Sequence, residues 1–271
     1  MKVELAEVKN FWNDESCGER NAEGDQDREY YLSETIIRYK LEPYIEAFAD
    51  FPSYTDQHVL EVGVGMGSDH SQIAKHRPKK LVGVDLTERA VEHTQKRFDA
   101  LNLETELHVA NAEDLPFEDE IFDLIYSYGV IHHSPNTKRC VDEIFRVLKV
   151  GGTARIMIYH KRSLTGFMLW IRYGLLRLKL LMPLSEIYDK YLESPGTKAY
   201  SVDEAKQLLN SFSSLKIGVQ LSHGDLLLGD VGQRHKGPLL SLAKVLFPRK
   251  ICIFLDKLIP IGLFLLITAT K

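Results

Sequence analysis

The sequence predicts an α/β fold in which helices cover a doubly wound parallel sheet. The first observation is a series of short apolar runs, each the length of a buried strand, at 59–62, 81–84, 107–110, 122–127 and 154–159. The second is that stretches of helical periodicity separate these runs, as expected of a parallel sheet with covering helices. The third is size, because 271 residues with 44% apolar content suffice for one well-buried domain with insertions.

Proline and glycine mark the ends of the helices between these strands. Helices are predicted at 68–77, 87–101 and 137–149. Pro78 stops the first helix, because proline cannot continue a helix. The pair Gly151-Gly152 is interpreted as the stop of the third helix.

The pattern changes after residue 160. Residues 163–182 form a long amphipathic run, which predicts an insertion, and a break follows at Ser194-Pro195-Gly196. Ser201 then begins a helix with capping-box spacing that runs through Phe212. The last two strands are predicted at 215–221 and 263–270, and the final run is too short for a membrane span.

Charge and cysteine content exclude several classes of protein. The formal net charge is −4 and no nucleic-acid-binding motif is present, so we expect no nucleic acid partner. The three cysteines form no CxxC pair and follow no secretory signal, which favours a reducing, cytoplasmic compartment. No HExxH, paired CxxC or clustered carboxylate pattern occurs, so we expect no metal site.

The most informative segment is a glycine-rich turn after the first apolar run. Residues 63–67 read Gly-Val-Gly-Met-Gly, and glycines at this spacing let the backbone turn sharply and approach a ligand closely. Roughly twenty residues later Asp85 ends the second run, where nucleoside-cofactor sites place an acid that holds ribose hydroxyls. Ser68 stands where the dinucleotide fingerprint has a third glycine, which favours a ligand with one carboxylate and one adenosine, such as S-adenosylmethionine.

Three more blocks follow the glycine turn at regular intervals. They are Leu81–Leu86, Ala110–Phe117 with its Leu-Pro-Phe ending, and Phe122–His133 with its Gly-Val-Ile-His-His ending, and Leu148–Gly152 comes after them. Together the four blocks, which span about 58–160, resemble the class I S-adenosylmethionine-dependent methyltransferases that act on quinones, natural products and other small molecules. The resemblance implies a Rossmann-like sheet of seven strands, mostly parallel, with an antiparallel last strand.

The resemblance also implies how the chain is divided. Residues 1–50 are expected to form a helical cap over the methionine end of the cofactor. Residues 51–271 are expected to form the methyltransferase domain, with helical insertions at about 161–200, which would act as a lid, and at about 233–260.

The residues that contact the cofactor, S-adenosyl-L-methionine, follow from the same resemblance. Glu61 and Asp69 are expected near its amino-acid end, and Asp85 at its ribose. Relatives commonly have aspartate where Asn111 stands, so Glu113 is expected to supply the missing charge near the adenine. The full set of expected contacts is Tyr31, Arg38, Glu61, Gly63, Val64, Gly65, Gly67, Asp69, Asp85, Leu86, Asn111, Ala112, Glu113, Ser127 and Tyr128.

Two short segments carry the candidate proton acceptors. His132 and His133 follow the fourth strand at the edge where parallel sheets bind ligands, and histidine is the usual base near neutral pH. Tyr159 and His160, at the carboxyl end of the fifth strand, are the second candidates. The two adjacent histidines are not expected to share a metal ion, because neighbouring side chains usually point in different directions.

The core blocks leave the methyl acceptor open, and the insertions are expected to decide it. Residues 161–190 carry six Lys and Arg against two acids, among many apolar residues. This composition favours a small apolar or lipid-linked acceptor, a peripheral contact with the inner membrane face, or a homodimer interface. Two other functions stay open: a non-catalytic cofactor-binding or membrane-associated module, and a nicotinamide-dependent oxidoreductase.

Overall fold

Seven strands form one sheet in the computed structural model, which describes residues 3–16, 18–19, 24–228, 240–241, 244–245 and 247–271. The strands are β1 His58–Val62, β2 Lys80–Asp85, β3 Glu106–Val109, β4 Phe122–Tyr128, β5 Leu148–Tyr159, β6 Ser214–Gln220 and β7 Phe264–Thr270. Their order is β3-β2-β1-β4-β5-β7-β6, and β7 runs in the opposite direction to the other six of these strands. The predicted mostly parallel sheet with an antiparallel last strand is confirmed.

Helices precede the sheet, connect its strands and fill the insertions. They are α1 Leu5–Asp14, α2 Arg28–Leu41, α3 Ile45–Ala49, α4 Ser68–Lys75, α5 Glu88–Leu101, α6 Thr137–Val147, α7 Leu164–Tyr173, α8 Leu184–Ile187, α9 Val202–Leu208 and α10 Arg249–Leu258. Side-chain caps fix several of their starts: Thr87 accepts the amide of Ala90, and Ser201 and Glu204 form the predicted capping box. The division of the chain at residue 50 stays a prediction.

Apolar side chains of the helices cover both faces of the sheet. On one face, Val141 and Ile144 of α6 and Ala205 of α9 are fully buried against the strands. On the other face, Ile73 of α4 and Phe98 of α5 are fully buried in a second cluster. Each such large side chain stabilises the fold by roughly 1.5–3 kcal/mol, so the two layers hold the carboxyl edge of the sheet in place.

The third predicted helix ends two residues early, and the glycine pair is not its stop. β5 begins directly after α6, so Gly151 and Gly152 lie inside a strand. Leu148 pairs with Phe122 of β4, and the amide of Gly151 donates to the carbonyl of Lys271 at 3.1 Å. Pairing with two neighbouring strands therefore overrides the local stop signal.

The amphipathic run of 163–182 folds as short elements rather than one long helix. α7 ends where the amide of Gly174 donates to the carbonyl of Trp170 at 2.8 Å, and a 3₁₀ turn follows at Leu175–Arg177. Leu178 then adopts a left-handed φ of 56°, which ends the turn. α8 and a π-helical turn at Tyr188–Leu192 complete the insertion.

Two other predicted elements differ in extent. α9 ends at Leu208, four residues before the predicted end at Phe212. Of the insertion predicted at 233–260, residues 233–239 lie outside the described residues, and α10 occupies much of the remainder. Within the described part of the chain, every helix is too short or too polar to cross a bilayer.

A buried aspartate fastens the first insertion to the sheet. Oδ1 of Asp225 accepts the amide and hydroxyl of Thr165, both at 2.8 Å, in the first turn of α7. Oδ2 accepts the amide and hydroxyl of Ser222, both at 2.9 Å, and the amide of Leu263 at 2.7 Å, next to β7. Burial raises the pKa of Asp225, and these donors counteract that rise. One carboxylate thus joins α7, the end of β6 and the start of β7.

Candidate active site

A cavity of about 310 Å³ opens at the carboxyl edge of the parallel strands. Its floor comes from the segments that follow β1, β2, β3 and β4, where a parallel sheet places its ligand crevice. α1 and α2 lie over one side, and residues of the first insertion close another. The cavity therefore has a sheet side, a cap side and an insertion side.

The glycine turn brings the backbone to the cavity wall. Gly63, Gly65 and Gly67 all have positive φ, of 86°, 54° and 72°. The amide of Gly63 donates to the carbonyl of Val84 at 2.7 Å, which ties the turn to β2. A Cβ on Gly63 would overlap Val130, whereas a Cβ on Gly65 would meet nothing within 4 Å. Gly65 therefore faces open space in the cavity.

Asp85 lies opposite the turn and is held by main-chain donors. Its Oδ1 accepts the amide and the hydroxyl of Thr87, both at 3.0 Å, and its Oδ2 accepts the amide of Gly65 at 3.1 Å. Burial raises the pKa of Asp85, and these hydrogen bonds counteract the rise. A carboxylate has about four lone-pair sites, so Oδ2 retains capacity for a ligand hydroxyl. Leu86, Asn111 and Ala112 line the wall beside it.

Arg38 and Asp69 form a bidentate ion pair between the cap and the sheet. Nε of Arg38 lies 3.0 Å from Oδ1 of Asp69, and Nη2 lies 2.6 Å from Oδ2. The hydroxyls of Tyr39 and Tyr126 also donate to Asp69, at 2.8 and 3.0 Å. Burial alone would raise the pKa of Asp69, but Arg38 and the hydroxyl donors lower it. Asp69 is therefore ionised and occupied by protein partners, while Arg38 also faces the cavity.

Glu61 and His70 form a second buried pair under the glycine turn. Nδ1 of His70 lies 2.9 Å from Oε2 of Glu61, and Nε2 lies 2.7 Å from the hydroxyl of Thr105. Burial raises the pKa of Glu61 well above its ordinary value, and the charge of Asp69 adds to the rise. Burial also lowers the pKa of His70 to about 3. The imidazole is thus neutral, and the Glu61 carboxyl borders the cavity without a cationic partner in the pair.

Aromatic side chains line the end of the cavity away from Asp85. They are Tyr128, Tyr159 and Phe264, with Met157 beside them. The rings of Tyr159 and Phe264 are stacked, with centroids 5.8 Å apart. This end is shaped for a small molecule with apolar surface, and we refer to it as the acceptor end.

His133, Tyr159 and Glu193 converge at the acceptor end. The hydroxyl of Tyr159 donates to Oε2 of Glu193 at 2.6 Å, and Nε2 of His133 lies 3.5 Å from the same oxygen. Nδ1 of His133 contacts the hydroxyls of Ser194 and Thr197, at 2.8 and 3.1 Å. Burial lowers the pKa of His133 to about 3, so the imidazole is neutral near pH 7. A neutral imidazole held through Nδ1 can accept a proton at Nε2.

A second histidine–carboxylate pair lies on the same side. Nδ1 of His223 is 3.3 Å from Oε1 of Glu42, which the hydroxyl of Tyr44 also approaches at 3.3 Å. Burial alone would lower the pKa of His223, but the hydrogen bond and charge of Glu42 raise it. His223 thus differs from His133, because its raised pKa keeps the imidazole positively charged up to a higher pH.

Most of the predicted site residues line this one cavity, and six do not. Those that line it are Arg38, Glu61, Gly63, Val64, Gly65, Asp69, Asp85, Leu86, Asn111, Ala112, Tyr128, His133 and Tyr159. Those that lie outside its lining are Tyr31, Gly67, Glu113, Ser127, His132 and His160.

Three of these six residues, Tyr31, Gly67 and Glu113, make contacts with other parts of the chain. Tyr31 is fully buried under the guanidinium of Arg97, 4.9 Å from its ring centre. Gly67 starts α4 and packs against Thr94. Glu113 accepts the amide of Asn136 at 2.8 Å and the hydroxyl of Ser134, so its charge stabilises the start of α6, and its contact with an adenine stays a prediction.

The other three residues, Ser127, His132 and His160, lie behind the cavity wall. Ser127 is fully buried within β4. His132 is fully buried between His133 and Tyr159, with ring centroids 4.2 and 4.0 Å away, and its ring nitrogens meet no hydrogen-bond partner among the described residues. His160 directs Nδ1 at the carbonyl of Gly262, at 3.0 Å. His133 and Tyr159 are therefore the remaining candidates from the two catalytic segments.

Sequence reasoning missed several residues at the acceptor end. Trp12 packs edge-on against His133 at 5.1 Å, and Glu42, Glu193 and His223 line the cavity. Glu193 directly precedes the Ser-Pro-Gly break, which signals a loop and could have marked a site. His223 follows the end of β6, but nothing in its local sequence distinguishes it.

Comparison with known proteins gives a consistent picture of the central segment. Residues 60–156 match the family model described as a methyltransferase domain. An uncharacterised protein of Haemophilus influenzae is 37% identical over 115 residues, which is 41% of this chain and 45% of that protein. The sarcosine/dimethylglycine N-methyltransferase of Halorhodospira halochloris is 32% identical over 99 residues, 36% of each chain. The chain thus spans less than half the length of these curated relatives.

The likeness of fold extends further than the likeness of sequence. The crystal structure of geranyl diphosphate C-methyltransferase from Streptomyces coelicolor A3(2) superposes with a TM-score of 0.63. The superposition covers 100% of this chain and 99% of that one, at 15% identity. At this identity the superposition shows that the two proteins share a fold.

Proposed function

We propose that this chain, a member of the class I S-adenosylmethionine-dependent methyltransferase family, transfers a methyl group from S-adenosylmethionine to an oxygen, nitrogen or sulfur atom of a small acceptor. One observation carries the proposal. The glycine turn and Asp85, which hydrogen-bond to each other, line one end of a cavity whose other end is lined by aromatic rings and by His133. A nucleoside and a second small molecule would thus share one enclosed space.

The residues present fit the proposed cofactor. Gly65 leaves room for a ligand where any side chain would project, and Asp85 offers a lone pair to a ribose hydroxyl. Arg38 would attract the cofactor carboxylate. Glu61 and the other acids of the lining would balance its ammonium and sulfonium charges. Leu86 and Ala112 would contact the adenine.

The chemistry of the proposed reaction asks little covalent work of the protein. The bound sulfonium supplies an already activated methyl group, so the chain has to align an acceptor, exclude water and remove a proton. Tyr128 and Phe264 would position the acceptor. His133 would take its proton at Nε2, and Glu193, hydrogen-bonded to Tyr159, would stabilise the resulting imidazolium.

The apolar lining supports a finer proposal about the acceptor. The relatives named above act, by their names, on sarcosine and dimethylglycine and on geranyl diphosphate, so kinship alone leaves the acceptor open. Three aromatic rings and a methionine at the acceptor end favour an acceptor with apolar surface, as a lipid-linked or other apolar metabolite would have.

Calorimetric titration of S-adenosylhomocysteine tests the proposal. Gly65→Arg would fill the cofactor end, and we expect it to abolish the binding seen with wild type. Gly151→Arg is the matched control, because Gly151 also has positive φ and open space around its Cβ but lies outside the cavity. No binding to wild type, or equal binding to both variants, would refute the proposal. An NADH titration followed by absorbance separates the oxidoreductase alternative.

A further inference from the structure

Exposed apolar side chains are concentrated in two segments of this molecule. Of the seventeen exposed large apolar residues in the described part of the chain, six lie within 167–181 and six within 251–259. Leu178 and Leu181 are 88% and 97% exposed, and Phe254 and Leu258 are 61% and 64% exposed. Large exposed apolar patches on soluble proteins usually mark contacts with a partner or a membrane.

The two segments border one groove. The groove is lined by Phe167 and Trp170 of α7 on one side and by Ile259 and Pro260, just after α10, on the other. A hydrogen bond joins the two sides, because the amide of Leu164 donates to the carbonyl of Ile261 at 2.9 Å. We call the exposed surface of 167–181 and 251–259 the apolar face.

Basic side chains are interspersed with the apolar face. Arg177 and Lys179 are exposed in the first segment, and Lys257 is exposed in the second, with Lys250 directly before it. Between 161 and 182 the chain carries five Lys and Arg and no acid. Apolar side chains mixed with cations are the composition of segments that lie in the interface of an anionic bilayer.

We infer that the apolar face docks this protein onto anionic lipid bilayers. The exposed leucines and Phe254 would enter the boundary between headgroups and acyl chains, and the lysines and arginines would meet the lipid phosphates. The charge argues against a second copy of this chain as the occupant. In a two-fold dimer the same cations would face each other, which is unfavourable.

The apolar face lies one layer from the acceptor end of the cavity. Leu169 and Tyr173, on the inner side of α7, pack in one cluster with Tyr159 and Phe264 of the cavity wall. Near α10, Arg249 donates to the carbonyl of Leu226 at 2.8 Å, in the turn that begins beside His223. Docking would therefore hold the acceptor end close to the bilayer. This link to a lipid-borne acceptor rests on the proposed function, whereas the docking itself does not.

Co-sedimentation with vesicles tests the inference. Wild type is expected to bind phosphatidylcholine vesicles that contain phosphatidylglycerol, and to bind pure phosphatidylcholine or high-salt samples much less. The double variant Arg177→Glu/Lys179→Glu should weaken binding roughly tenfold or more. Leu178→Glu/Leu181→Glu should weaken it on both kinds of vesicle. Val150→Glu is the control, because Val150 is 75% exposed on β5 and outside the apolar face.

Two further measurements keep the outcomes distinct. S-adenosylhomocysteine binding by each variant shows that the fold and the cofactor end are intact, so loss of vesicle binding alone supports the inference. No vesicle binding by wild type, or equal binding by all variants, would overturn it. It would also be overturned if ultracentrifugation gave a wild-type dimer, a monomeric Leu178→Glu/Leu181→Glu variant and no vesicle binding. Failure of cofactor binding in wild type would instead count against the proposed function.

Discussion

The two ends of the cavity are built in different ways. At the cofactor end the contacts come largely from one continuous stretch, 61–112, and main-chain atoms fix the geometry through Gly63, Gly65 and Asp85. At the acceptor end each contact comes from a separate part of the chain, as Glu42, Glu193 and His223 illustrate. A backbone-built end leaves a spacing pattern in the sequence, whereas a side-chain-built end does not.

The difference also separates what each end can change. The glycine turn tolerates little substitution, because its φ values and the approach of Val130 exclude side chains. The acceptor end consists of side chains, some at the ends of β4, β5 and β7 and others, such as Glu42, Glu193 and His223, on segments outside the sheet. The comparison predicts that substitutions at one end alter cofactor affinity and that those at the other alter turnover.

The largest expected effect belongs to the acceptor end. His133→Ala removes the proposed proton acceptor, so turnover should fall by about 10²–10⁴-fold. The dissociation constant of S-adenosylhomocysteine should change little, because His133 lies away from Asp85. Turnover is measured with whichever acceptor wild type methylates in a panel of oxygen, nitrogen and sulfur nucleophiles. His108→Ala, at an exposed histidine on β3, is the control. Unchanged turnover would remove His133 from the mechanism.

Arg38 joins the cap to the sheet through Asp69 and also faces the cavity, so its loss should affect the stability of the whole fold. Arg38→Met leaves the buried carboxylate of Asp69 without its cation, and the free energy of unfolding should fall by roughly 3–5 kcal/mol. Urea unfolding measures the change. The double variant Arg38→Met/Asp69→Asn should recover part of the loss, since it removes the unpaired charge. A double variant less stable than the single one would contradict this assignment.

Asp85→Asn should affect the cofactor end alone. Both carboxylate oxygens of Asp85 accept hydrogen bonds, from Thr87 and from Gly65, whereas the NH₂ group of an asparagine can only donate. The charge-assisted hydrogen bond to a ribose hydroxyl is lost as well. The affinity for S-adenosylhomocysteine should fall by roughly 10–100-fold, the equivalent of about 1.5–3 kcal/mol. Calorimetry measures it, with Asp99→Asn on α5 as the matched control. Equal affinity of both variants would contradict a ribose contact.

The smallest expected effect is a pH dependence of stability from His132. Burial lowers the pKa of His132 well below 6.5, and electrostatic repulsion from the neighbouring His133 and Lys198 sites adds to the drop, so folded His132 stays neutral where the unfolded chain takes up a proton. Its contribution to stability is present above about pH 6.5 and is lost by roughly 1.4 kcal/mol per pH unit below it. His132→Phe should lack this loss. Urea unfolding of both proteins at about pH 7.5 and about pH 5.5 compares them, and parallel behaviour would refute the neutral form.

The sheet and the glycine turn beside the cavity could be predicted from the sequence for a physical reason. Strand burial, strand-helix alternation and the φ requirements of Gly63 and Gly65 are local, so they leave periodic and positional signals. Where tertiary pairing competes with local preference, the prediction fails. Gly151 and Gly152 carry a stop signal, but β4 and β7 draw them into a strand.

The acceptor end could not be predicted to the same degree. His132 and His133 are equivalent in sequence, and tertiary contacts distinguish them, among them the hydroxyls of Ser194 and Thr197 that reach His133. Glu113 had the right charge for an adenine contact, yet a nearby helix start captures it. Such contacts depend on which residues, distant in sequence, the tertiary fold brings together. The spacing of residues along the chain does not encode that.

Asp225 gives the lid a mechanical property of its own. The carboxylate of Asp225 accepts five hydrogen bonds from Thr165, Ser222 and Leu263. An outward rigid-body movement of α7 would therefore break some of these bonds and expose a carboxyl group whose pKa burial has raised. A force on the exposed leucines of the first insertion, such as one from a surface that they contact, would therefore pass through Asp225 to the antiparallel pair β6 and β7.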